Sequence, residues 1–187
     1  SVVRSGTSDA ITLADLITRT SAGGDVPSGF AEFKSGATDI TSFVTQACEV
    51  EVDPETGQVE VKKFITTVDS GTILNPIGHK GQIQGGFITG LGYALMEEMP
   101  VEDGRVTTLS FADYKIPSMA DLPELTTVYL PELPSGPAPY ASKSVGETHN
   151  PPVAAAIANA VADAIGTPLT SLPLTAEKIL AAIRASH

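Results

Sequence analysis

An α+β fold, in which a mixed β-sheet carries a long glycine-rich helix and a second alanine-rich helix packed on it, is predicted by three observations. Residues 43–69 alternate apolar and polar positions about a PETG turn. Residues 76–98 hold a helical run of apolar residues interrupted by glycine, and residues 151–165 form an alanine-rich apolar run closed by Gly166. Alternation marks half-buried strands, and apolar spacing of three to four marks helices. The chain has 187 residues, 42% hydrophobic and 18% charged, with mean hydropathy +0.12. That supplies enough apolar surface to offset chain entropy and corresponds to about one domain.

Taken in order, Ile11, Leu13, Leu16 and Ile17 form the apolar stripe of a short helix, with Thr12 placed to cap it. Residues 21–43 lose periodicity and are rich in Gly, Ser and Asp, which predicts irregular or partner-dependent structure. From Phe43 the alternating segments VTQACEVEVD and QVEVKKFITTVD flank Pro54 and Gly57, the pattern of a β-hairpin. Asn75 caps a helix whose first residue is Pro76, where a missing N–H costs nothing; apolar residues carry that helix to about Glu98. RVTTLSFADYKIP and ELTTVYL read as further strand or extended chain. The proline-rich stretch PELPSGPAPYASKSVGE reads as an irregular surface segment leading into the helix at Pro151. Thr175 caps a last helix with Ile179, Leu180 and Ile183 on its apolar face.

Composition narrows the function. With 11 basic and 22 acidic residues the formal net charge is −11, and no basic cluster is present to track phosphates, so nucleic acid is excluded as a partner. Gly81 to Met96 is too short and too polar to span a bilayer. The single Cys48 forms no internal disulfide, so a cytoplasmic location without membrane attachment is the expectation. Three scattered histidines without CxxC or HExxH spacing offer no protein-made metal site.

Two places concentrate chemistry. The first is the glycine-rich helix, where Gly81 and Gly85, and likewise Gly86 and Gly90, stand four apart. Each glycine costs about 1 kcal/mol against alanine, so close packing or close approach of a ligand has to offset it. Gln82, beside Gly81, can both donate to and accept from a ligand edge; an amide satisfied by backbone is its bland reading. The second is Ala141 to Asn150, ASKSVGETHN, which gathers Lys143, Glu147 and His149 before a helix N-terminus. Gly146 allows a sharp bend that would hold Glu147 as a general base, and a solvated pre-helix acid is the alternative. Lys143 binds an anion, pairs with Glu147, or is a plain surface lysine, and His149 beside a cap is structural or exposed.

These residues carry a resemblance. CEVEVDPETGQVEVKKFITTVDSGTILNPIGHKGQIQGGFITGLGYALMEE, SFADYKIPSMADLPEL and YASKSVGE with the alanine-rich helix and PLTSLPLTAEKIL follow in the order seen in molybdenum hydroxylases, the xanthine dehydrogenase and aldehyde oxidase family. The resemblance covers Cys48 to the C-terminus and is weaker over residues 1–45. It implies that residues 46–187 are the C-terminal lobe of a molybdopterin-binding region, preceded by a helix and irregular segment over 1–45.

By the same resemblance Glu147 is the catalytic base, Val145 and Gly146 line the metal site by backbone, and Gly81 with Gln82 meets the cofactor. The implied reaction is oxidative hydroxylation of an N-heterocycle or aldehyde, a small-molecule substrate, with oxygen taken from water. The molybdenum-pterin cofactor would be shared with a larger molybdopterin-binding subunit or lobe, with iron-sulfur clusters and FAD on partner chains or domains. Because the family's molybdenum-binding portion is much longer, the chain reads as a subunit, a processed piece or an isolated domain. A non-catalytic interaction module retaining the fold is the alternative, and a stand-alone hydrolase using Glu147 and His149 lacks a nucleophile.

Overall fold

The computed structural model describes residues 2–3, 8, 10–23, 28–34, 41–130 and 138–186. The chain divides into two compact units, Ser1–Lys34 and Ser35–His187. In the first, β1 (Val2–Val3) pairs antiparallel with β2 (Ala10–Ile11), and α1 (Leu13–Ala22) follows. Thr12 caps α1 as predicted, its hydroxyl accepting the Asp15 N–H at 3.1 Å. Residues 28–34 have no regular structure, in keeping with the irregular segment predicted over 21–43; residues 24–27 and 35–40 lie outside the described residues.

The second unit is built on the hairpin of β3 (Phe43–Val52) and β4 (Val59–Asp69). Glu49 faces Lys63 while Val50 faces Val61, so Lys62 is an extra residue on β4. The bulge changes the parity of the strand, which lets Val59 and Val61 share an inner face with Phe64, Thr66 and Val68. At the turn, Asp53 Oδ1 accepts the Glu55 N–H at 2.8 Å. Gly57, at φ +76°, leaves no room for a Cβ because the Ala176 carbonyl lies there.

Next comes α2 (Pro76–Leu95), which ends three residues before the predicted Glu98. The chain folds back there: the Met96 and Glu97 amides both bond the Gly92 carbonyl, and the Glu97 side chain occupies the space a Gly92 Cβ would need. The predicted strand over 105–117 reduces to a two-residue ladder of β5 (Val101–Glu102) and β6 (Arg105–Val106). Beyond it the Ser110 carbonyl accepts the amides of Asp113 and Tyr114 in a tight turn, and Tyr114 Oη donates to Glu97 at 2.8 Å. The predicted second strand is present as β7 (Glu124–Tyr129). It joins the hairpin sheet, parallel to β4, in the order β3-β4-β7, so the sheet is mixed.

Helix α3 (Pro151–Ile165) starts and stops where the proline and glycine signals place it, Gly166 closing it at φ +71°, and α4 (Ala176–Ala185) starts at the predicted Thr175 cap. The core lies between the inner sheet face and α2 and α3. Phe64 and Phe87 meet there with ring centroids 4.5 Å apart, among Leu91, Val153, Ile157, Val161 and Ile179. Among the described residues no helix is long and apolar enough to cross a membrane.

Candidate active-site face at the start of the glycine-rich helix

The end of β4, the start of α2 and the segment before α3 converge on a cleft of about 260 Å³. Ser70, Thr72, Asn75, His79, Lys143 and Val145 are among its lining residues. A smaller cavity of about 150 Å³, lined by Val61, Leu91 and Leu122, lies at the other end of α2.

One wall is a strip of chain that folds back onto β4. The Lys143 amide donates to the Ser70 carbonyl at 2.9 Å, the Thr72 amide to the Ala141 carbonyl at 3.2 Å, and Gly71 and Ser142 form an antiparallel bridge. Gly71, at φ +61°, has no space for a Cβ because the Ala141 carbonyl fills it. Two consecutive non-glycine residues, Tyr140 (φ +59°) and Ala141 (φ +56°), adopt left-handed backbone here, at about 1–2 kcal/mol each. Such residues persist only where their surroundings hold them.

Buried polar groups adjoin the cleft. Lys143 Nζ lies 2.7 Å from Asp69 Oδ2, with the two side chains only 6% and 10% exposed. The alternatives of an anion-binding or Glu147-paired lysine are therefore corrected: the partner lies 74 residues away in sequence. The Lys143 ammonium, helped by the Gly71 amide, holds the Asp69 carboxyl below its ordinary range. Ser70 Oγ and His79 Nε2 are 2.6 Å apart, and the His79 ring packs on Tyr129 and, edge-on, on His149. Burial lowers the pKa of both imidazoles; the neighbouring His79 lowers that of His149 further, against a Val145 backbone hydrogen bond. Both rings are neutral at pH 7. Sequence reasoning passed over Asp69, Ser70 and His79, although an acid and a serine closing an alternating apolar strand were a readable signal of a buried polar layer.

Of the predicted site residues, one is part of this cleft. Val145 lines it. Gly146 is exposed and is not one of the glycines at positive φ, so the bend beside Glu147 does not depend on left-handed backbone there. Glu147 is solvent-exposed, and its carbonyl accepts the Asn150 amide at 3.1 Å. His149 is fully buried, which makes it the structural rather than the exposed histidine, while Glu147 is exposed. Two bonds fix the turn that follows: Gln46 Nε2 donates to the His149 carbonyl at 2.8 Å and Tyr93 Oη to the Asn150 carbonyl at 2.9 Å.

On α2 the glycines divide by face. Gly86 and Gly90 pack on the start of α3, Gly86 with its Cβ position 3.3 Å from the Asn150 nitrogen and Gly90 with its Cβ position 2.5 Å from Val153 Cβ. Gly81 and Gly85 meet nothing within 4 Å. Gln82, also exposed, stands one helical turn before Gly86, so it lies beside the turn that carries Glu147. Leu74 and Ile77, the latter 88% exposed, complete an open face of bare backbone, amide and apolar surface.

The family model for the molybdopterin cofactor-binding domain matches residues 2–123. The chain belongs to this family. The match includes Gly81 and Gln82 and stops before Val145. Among similar proteins, this domain is 38% identical over 144 residues to a xanthine dehydrogenase molybdenum-binding subunit of Escherichia coli O157:H7, covering 76% of this chain and 19% of that protein. It is 36% identical over 142 residues to an aldehyde oxidoreductase molybdenum-binding subunit of Escherichia coli (strain K12), covering 75% of this chain and 19% of that protein. The crystal structure of quinoline 2-oxidoreductase from Pseudomonas putida 86 superposes with a TM-score of 0.68 at 33% identity, covering 72% of this chain and 18% of that one. The molybdopterin-binding domain described here thus spans about a fifth of the length of the relatives it matches.

Its residues fit a pterin. The unobstructed backbone at Gly81 and Gly85 admits a flat group at contact distance, and Gln82 offers both a donor and an acceptor to ring edges. Among the described residues, His79 Nδ1 is buried in the cleft wall without a protein partner. No group of three or more His, Cys, Asp or Glu side chains among those residues could hold a metal ion.

Proposed function

We propose that this chain forms one wall of the active site of a molybdenum-cofactor-dependent hydroxylase that oxidises an N-heterocycle or an aldehyde. When bound, the cofactor supplies the metal with its own ligands and the two-electron oxidation. The chain supplies position and a base. Gly81 and Gln82 hold the cofactor along the open start of α2, Val145 and Gly146 bring bare backbone to it, and the Glu147 carboxylate removes the proton from the water-derived oxygen. A carboxylate is a side chain able to accept that proton.

The observation that carries this reading is that the turn running from Glu147 to Asn150 packs on Gly86, one helical turn from Gln82 on α2, although Glu147 and Gln82 stand 65 residues apart in number. A larger lobe of the same protein, or a larger subunit, closes that face and completes the substrate pocket. Iron-sulfur and flavin centres on partner chains or domains take the electrons onward, in the cytoplasm.

The test is Glu147→Gln in the complete, cofactor-loaded enzyme. Turnover is expected to fall by about 10² or more, the range for losing a general base, with molybdenum content unchanged. Turnover within a few-fold of the unaltered enzyme would remove Glu147 from the chemistry and leave a non-catalytic interaction module as the better account.

A further inference from the structure

We propose that the buried Asp69–Lys143 ion pair is the positioning device for Glu147, locking the register of the segment that carries the carboxylate against the end of β4. The proposal rests on the reading of Glu147 as the base, but the locking itself is argued from contacts alone.

The segment from Pro139 to Glu147 is held mainly by backbone bonds, with one further bond from Ser42 Oγ to the Ser144 carbonyl at 2.7 Å. Its three-residue turn at Pro139–Ala141 contains no buried residue, and Tyr140 and Ala141 sit in left-handed backbone that their own preferences do not favour. Its backbone bonds to Ser70 and Thr72 are repeated equally well by a chain slipped along the strand, because main-chain donors and acceptors recur at every residue. Side chains decide the register, and the flanking choices are small: Ala141, Ser142 and Ser144 surround Lys143. In any slipped register one of these faces Asp69, and a carboxylate otherwise shut away from water loses its cation. Breaking a buried pair in that way is strongly unfavourable, whereas the intact pair adds little net stability; setting register is the use such a pair serves best. The Lys143 ammonium also lies 5.8 Å from the centre of the Phe43 ring, at the start of β3. Beyond Glu147 the chain is held again through Gln46 and Tyr93. Glu147 therefore stands between two held stretches, and the ion pair supplies the buried side-chain contact of the one on its N-terminal side, next to the Ser42–Ser144 bond.

The experiment uses the complete, cofactor-loaded enzyme with an aromatic aldehyde and a purine as probe substrates. It compares Lys143→Met, the charge-neutral pair Asp69→Asn/Lys143→Met, Glu147→Gln, and each of the first two combined with Glu147→Gln. The neutral pair leaves no buried unpaired charge, so it keeps the test alive should the single variant fail to fold. Lys143→Met, or the neutral pair, is expected to lower kcat by about tenfold or more with KM little changed, since a misplacement near 1 Å costs up to about 10². Added to Glu147→Gln, either should lower kcat by less than about twofold, because the two act through one group. Amide exchange over residues 144–148 should quicken by about tenfold while that of β4 stays as it is. Full activity in the neutral pair, effects that multiply with Glu147→Gln, or unaltered exchange over 144–148 would each overturn the proposal. If Glu147→Gln alone leaves turnover intact, it is the base assignment that fails; if neither probe is oxidised, it is the substrate class that fails; in both cases the exchange result still decides the locking.

Discussion

His79 and His149 are buried as neutral rings, and this makes the stability of the domain depend on pH in a definite direction. Both have folded-state pKa values below the ordinary 6.5, chiefly through burial. Between about pH 6.5 and those lower values the unfolded chain binds more protons than the folded one. Stability is therefore complete above about pH 7 and declines as the pH falls through that window. Asp69 works at lower pH with the same slope: its folded pKa is depressed by Lys143, so its contribution is present above about pH 4 and is lost as the pH falls through the folded value. Thermal unfolding followed from pH 7.5 to 5.0 should show Tm falling, and His79→Gln should flatten that decline between pH 6.5 and 5.5. An unchanged slope in His79→Gln would show that this imidazole is not held neutral by the fold. At this scale Gln82 stands out as an amide in an apolar, glycine-rich helix, whereas Glu147, an acid before a helix start, is common in its setting and is singled out by the family resemblance. The partner of Lys143 was not legible: an acid four residues away is visible in sequence, whereas Asp69 arrives only once β4 and the 139–147 strip have come together.

The glycines of α2 show what an element reveals of itself and what it conceals. Gly90→Ala places a methyl 2.5 Å from Val153 Cβ, so α2 and α3 must separate, at a cost of about 1–3 kcal/mol. Gly81→Ala meets open space and should stabilise the helix by about 1 kcal/mol through propensity alone, while crowding the face offered to the cofactor. Urea unfolding of the two variants should give shifts of opposite sign. Equal shifts would contradict the division of faces. Sequence spacing predicted that glycine pairs four apart would admit close approach, but it could not say which pair met a helix and which stayed bare, because that depends on where α3 lands. The same limit explains the sheet. ELTTVYL was readable as a strand from its β-branched alternation, yet its parallel pairing with β4 spans some 60 residues and leaves no local trace. Helix starts at Thr12, Asn75 and Thr175 were readable because a cap is local chemistry. The end of α2 was misplaced because the chain turns back on Gly92, a contact made by the residues that follow.

At the scale of the whole molecule, the open face is the feature that needs an explanation. Leu74 and Ile77 are exposed at the start of α2 beside bare glycine backbone and Gln82, although the domain has a well-formed core elsewhere. Apolar surface arranged around a cleft is what remains when one side of a binding site is viewed without the other. In the relatives the matched stretch is about a fifth of the protein, and the proposed half-site in a folded unit is consistent with that share. The most direct test is the molybdenum and pterin content of the complete protein, purified with all of its lobes and partner chains, set against that of residues 41–187 expressed alone. About one molybdenum and one pterin per complete protein, with neither retained by the isolated domain, is the expected result. A complete protein that folds and assembles without either would contradict the account.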